Sequence, residues 1–154
     1  MKIGGNIMLY FSNVDCYERE LNEISSKDVN DYGFILIHNH NFLASRKIVM
    51  ACVCTGSFGN KKVPVVIVDD YFLKLDDLCK EIVLLHELGH KVDEENEKTG
   101  IEEELRADDF IKNYHSLKVI RGAMKRIFIA QYNIKGYLTE KQKKVMKARL
   151  DNMK

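Results

Sequence analysis

The chain lacks a long apolar run, lacks a paired-cysteine motif and carries almost no net charge. Each absence removes a class of protein. No stretch approaches the roughly 20 apolar residues that a membrane-spanning helix needs. The apolar patch from Ile7 to Phe11 follows a single lysine and is interrupted by Ser12 and Asn13, too weak a pattern for a secretory signal. A cytoplasmic protein with no membrane partner is therefore expected. The four cysteines, Cys16, Cys52, Cys54 and Cys79, form no C-x-x-C pair, so a disulfide framework is not expected. Cys52 and Cys54 read as small buried hydrophobes in a strand, with metal binding the lesser alternative. The 154 residues suit one domain with a real core and are too few for two comfortable ones.

What the chain does have is Leu84-Leu85-His86-Glu87-Leu88-Gly89-His90. Leu78, Ile82, Leu85 and Val92 recur at helical spacing around it, which predicts a helix from Leu78 to Val92. On that helix His86 and His90 share a face, one turn apart. That spacing lets two imidazoles hold one zinc ion. Glu87 is rotated by about 100° from His86, so its carboxylate can reach a metal-activated water without being a ligand. This is the metalloprotease arrangement of two histidine ligands and a glutamate general base. The structural alternative is a surface histidine pair beside a helix carboxylate.

A zinc hydrolase needs a third protein ligand. Ile101 to Phe110 supplies Glu104 and, four residues on, Asp108, which share a face of a second helix. Glu104 is the candidate ligand. Asp108 can accept the outer N–H of a ligating histidine and fix its tautomer. Gly100 lies in the short connection that must reverse the chain between the two helices. Alternatively, Glu102 to Glu104 are acids decorating a helix N-terminus, where the dipole favours them.

H-E-L-G-H followed by E-x-x-A-D-x-F (His86, Glu87, His90, Glu104, Ala107, Asp108, Phe110) resembles the gluzincin metallopeptidases. The compact length is most similar to the ImmA/IrrE-type peptidases of bacteria, phages and mobile elements. The resemblance spans Val63 to Phe110. Membrane peptidases share the E-x-x-A-D element, but the chain shows no span. Arg106 stands where that family often has an acid, and Asp108 where it often has Asn. The resemblance implies a zincin-like fold, cleavage of a regulatory protein, and an edge strand that pairs with the substrate backbone, with Lys47–Thr55 or Val63–Val68 as that edge.

Outside the motif, Val14, Tyr17, Leu21 and Ile24 predict a helix from Val14 to Ser25. Phe34 to His38 reads as a strand. His38 and His40, interleaved with Asn39 and Asn41, suggest a turn rather than metal ligands. Lys47 to Thr55 is apolar on both faces and predicts a strand buried on both sides. Gly56, Gly59 and Asn60 mark a turn, and Val63 to Val68 a further strand with Pro64 near its start. Helices are expected from Ser116 to Tyr132, ended by Gly136, and from Thr139 onward. Gly4-Gly5 before Met8 suggests a translation start at Met8. Asp93 to Glu97 is an acidic loop that would favour basic substrate segments if it rimmed the cleft.

Charge is divided along the chain. Residues 1–115 hold 13 basic and 21 acidic residues, whereas residues 116–154 hold 11 basic and 2 acidic. A basic helical C-terminal extension packed on an acidic zincin-like domain of residues 1–115 is the expected arrangement, with a nucleic acid as the less favoured partner of that segment. The fold class expected is α+β: a small, mostly antiparallel sheet of two to four strands packed on the H-E-x-x-H helix, with a mainly helical C-terminal half. The activity expected is zinc-dependent endopeptidase action on a protein or peptide, with Glu87 as base. The alternative is a non-catalytic zinc-containing interaction protein that uses its basic helices. No residue stands out as the oxyanion donor: His115 lies about 16 Å along the helix from Glu104, and Tyr71, Tyr114 and Tyr132 are equally open.

Overall fold

The computed structural model describes residues 16–92 and 100–154. The fold is α+β. Three strands, β1 (Ile35–His38), β2 (Ala51–Phe58) and β3 (Lys61–Val68), form one mixed sheet in the order β1-β3-β2. β1 runs parallel to β3, from Ile35 opposite Val65 to His38 opposite Val68. β2 and β3 are an antiparallel hairpin, from Ala51 opposite Val68 to Phe58 opposite Lys61. Gly59, at φ +62°, begins the two-residue turn between them, as hairpins of the II′ kind require. The sheet is thus less purely antiparallel than the sequence suggests.

The helices are α1 (His40–Ser45), α2 (Asp70–Leu73), α3 (Asp77–Val92), α4 (Ile101–Ile111), α5 (Leu117–Lys135) and α6 (Glu140–Asp151). Local chemistry sets their ends. The Asp76 carboxylate accepts the Cys79 N–H at 2.8 Å at the start of α3. Ser116 caps α5, and Gly136, at φ +77°, ends it. Thr139 and Gln142 form a reciprocal capping box on α6.

β3 is the strand buried on both faces. Val66 and Val68 join the larger core with Ile82, Leu85 and Leu88 of α3 and Ile120 and Met124 of α5. Val63, Val65 and Ile67 join Ile35, Ile37 and Leu43 on the other face. Each fully buried aliphatic side chain here contributes about 1.5–3 kcal/mol. The expected two-sided burial of Lys47–Thr55 is corrected. That strand starts at Ala51, lies at the sheet edge and is only half-buried. Its apolar residues on both faces reflect two covered sheet faces, not a central position. It also follows that Val63–Val68, being central, is not the edge available to a substrate.

A second correction concerns the helix expected over Val14–Ser25. Within its described part only a single 3₁₀ turn forms, at Leu21–Glu23. The segment before it runs beside β1: the His38 N–H donates to the Tyr17 carbonyl at 3.1 Å, and Glu18 bridges His38 in parallel. The open edge of β1 offers backbone hydrogen bonds that the helical spacing of Tyr17, Leu21 and Ile24 does not reveal. Met8 and the Asp93–Glu97 loop lie outside the described residues. Among the described residues no helix is long and apolar enough to cross a membrane.

Candidate metal centre

Two helices build the site, and their close approach is set by one contact. α3 carries His86, Glu87 and His90; α4 carries Glu104 and Asp108. Where they cross, a Cβ on Gly89 would sit 2.4 Å from the Ala107 carbonyl oxygen. Only glycine lets the backbones come so near. That approach carries Glu104 to the histidines.

His86 Nε2 and His90 Nε2 lie 3.1 Å apart, Glu104 Oε2 is 3.0 Å from His86 Nε2, and Glu104 Oε1 is 3.6 Å from His90 Nε2. A tetrahedral zinc with ligands at about 2.0–2.1 Å sets them about 3.3 Å from one another. The three side chains therefore fit one metal ion with no rearrangement of the backbone, and they are the group among the described residues able to do so.

Behind the ligands the geometry is equally specific. His86 Nδ1–H donates to Asp108 Oδ1 at 2.7 Å, which leaves Nε2 pointing at the metal position. Asp108 is fully buried. Its carboxylate also receives two bonds from Arg149 of α6, Nε to Oδ2 at 2.8 Å and Nη2 to Oδ1 at 2.9 Å. The guanidinium stands over the Phe128 ring at 5.1 Å and lies 3.9 Å from Glu104. The basic C-terminal segment thus contributes a residue directly to the site. No spacing rule pairs Arg149 with Asp108, 41 positions away; the only signal was the segment's positive charge.

Protonation follows from these contacts. Burial and the Arg149 charge oppose protonation of His86, but the carboxylates of Asp108 and Glu104 outweigh them and push it up to about 9. Burial holds His90 below the usual histidine range, with the His86 charge acting the same way. Burial raises Glu87 to about 7. Burial would also raise Glu104 and Asp108, yet His86 and Arg149 keep both below the usual carboxylate range.

Glu87 opens onto a cleft of about 590 Å³ between α3 and the edge strand, which Ala51, Cys52 and Val53 of β2 line together with the three candidate ligands. Among the described residues no tyrosine lines it. Tyr71 packs at a tilt against His40, with ring centroids 5.5 Å apart, and Tyr114 packs edge-to-face with Phe110 at 5.3 Å; Tyr132 is half exposed. His115 pairs with buried Glu81 at 3.3 Å instead. His38 and His40 sit at Asp70, where His38 Nε2 contacts Oδ1 at 2.6 Å. Asn39 caps α1 rather than forming a simple turn.

Comparison of the chain with protein-family models, with curated proteins and with solved structures finds no match. The likeness to gluzincins rests on the motif residues alone.

Proposed function

We propose that the protein is a zinc-dependent peptide hydrolase. The observation that carries this reading is the mutual 3.0–3.6 Å spacing of His86, His90 and Glu104. Three protein ligands leave a fourth position for water or substrate, which separates catalytic zinc sites from closed structural ones. A zinc ion there would acidify water and polarise the scissile carbonyl.

The chain's own groups supply the rest. Glu87, held near neutrality by burial, takes a proton from the attacking water and passes it to the leaving amine. Asp108 holds the His86 ring in the tautomer that exposes Nε2. β2 lies beside the cleft with an edge that is unpaired among the described residues, which allows an extended substrate to add as a further strand. A regulatory protein as the natural substrate follows from the gluzincin resemblance.

The test is Glu87→Gln. It should retain zinc and lose cleavage of any peptide the wild type hydrolyses by at least about 100-fold, the usual contribution of a positioned base. Cleavage at the wild-type rate by the zinc-loaded variant would sink the mechanism. The non-catalytic alternative would instead show the wild type loaded with zinc and inert toward every peptide offered.

A further inference from the structure

A second cavity of about 450 Å³ adjoins the metal cleft, and Val49, Glu104, Gln131 and Arg149 line both. Its wall has a distinct chemistry. Lys47, Lys135 and Lys141 come to it from three separate elements: the loop after α1, the end of α5 and the start of α6. Leu138, Val145 and Met146 supply apolar surface among them. Among the described residues, two acids also line the cavity, and both face the metal group. Glu103 lies 3.3 Å from His90 Nδ1, and Glu104 belongs to the metal group. None of the three lysines has an ion-pair partner among the described residues.

Lys47 is there at a conformational cost. Its N–H donates to Ala44 and the Ile48 N–H to Leu43, the paired bonds that close a helix C-terminus. The residue between such bonds is normally glycine, because it is left-handed. Here it is lysine, at φ +57°. Backbone strain of this kind concentrates at working sites, and Lys47 lines the cavity.

We propose that Lys47, Lys135 and Lys141 form a substrate subsite that takes a carboxylate, with aliphatic stem packed on Leu138, Val145 and Met146. This rests on the peptide-hydrolase reading. The carboxylate belongs either to a glutamate of the substrate or to its C-terminus. The subsite lies by the N-terminal end of β2, so it receives the substrate a few residues from the scissile bond beside Glu87.

The probes are fluorescent random heptapeptide pools, acetylated and amidated, that fix Glu or Gln at one scanned position. A third pool carries Gln with a free C-terminal carboxylate. Binding is measured on zinc-treated Glu87→Gln protein, so it does not depend on turnover. Exposed charge pairs are each worth less than about a factor of five, so three lysines together should favour Glu over Gln by about tenfold at one register. The preference should weaken as salt is raised. It should fall below about twofold in Lys47→Asn/Lys135→Gln/Lys141→Gln, where asparagine keeps the left-handed position accessible. If only the free-carboxylate pool gains, the chain terminus is the ligand and the subsite stands. Equal binding of all pools, or a Glu preference undiminished in the triple variant, overturns it. Wild-type protein that shows the Glu preference yet cleaves none of the pools would strike the hydrolase reading and leave the subsite in place.

Discussion

Asp108 is the residue on which the site turns, since it joins the metal position to the C-terminal helix. It accepts from His86 at 2.7 Å and from Arg149 at 2.8 and 2.9 Å. Outer partners of metal ligands are typically worth 10–100-fold in metal affinity. Asp108→Asn should weaken zinc binding by about that factor in a chelator competition, and Arg149→Gln by a smaller one. Undiminished affinity in both would show that the ligands orient themselves. Protons would compete with a metal ion at His86. The Asp108 and Glu104 carboxylates push His86 up to about 9, so it is charged at pH 7.5 and must release its proton to bind zinc. Zinc uptake should therefore release about one proton, read from titration calorimetry in buffers of different ionisation enthalpy, and affinity should rise with pH until about 9. At this scale the meeting of most candidate residues was legible. His86 and His90, like Glu104 and Asp108, are brought together by the four-residue spacing of a helix face, with Glu87 rotated by about 100° from His86. Arg149 was not legible, because its partnership is made by tertiary packing.

At the scale of elements, the α3–α4 crossing decides whether the ligands meet. Gly89→Ala would drive a methyl group into the Ala107 backbone. Overpacking of this kind costs about 1–3 kcal/mol, and here it should also move Glu104 outward. Chemical denaturation should show the loss of stability, and zinc titration a separate loss of affinity. A variant as stable and as metal-competent as wild type would refute the close packing. Helix ends were largely readable, since Asp76, Ser116, Gly136 and Thr139 carry the capping chemistry in their own side chains or backbones. Strand environment was less so. The sequence of β2 is apolar on both faces, as a central strand's is, and only the register against β3 reveals an edge. The Val14–Ser25 helix failed for a related reason: the segment's spacing suited a helix, but the unsatisfied edge of β1 captured Tyr17 and Arg19.

Across the whole molecule, the expectation of an α+β fold with a mainly helical C-terminal half agrees with the structure, and the division of charge along the chain has a structural counterpart. Basic residues of the last two helices meet acids of the body, as in Arg149 with Asp108 and Arg126 with Asp76 at 3.2 Å. Buried Glu81 has no lysine or arginine partner among the described residues. Glu81 is fully buried in α3, beside His115, and burial raises it to about 7. In the unfolded chain it ionises near 4.5. Between those values the folded state binds more protons, so its contribution to stability is lost as pH rises from about 4.5 through about 7. Glu81→Gln should therefore gain stability relative to wild type by about 2–3 kcal/mol at pH 8 over the difference at pH 4. A pH-independent difference would mean that Glu81 ionises in the fold as it does in the unfolded chain.

The most direct measurement is the zinc content of the purified, reconstituted protein, wild type beside His86→Ala and Glu104→Ala. The arrangement of His86, His90 and Glu104 within reach of one another predicts about one zinc per chain in the wild type and a large loss in both variants. Full zinc occupancy in Glu104→Ala, or none in the wild type, would contradict a three-ligand metal centre.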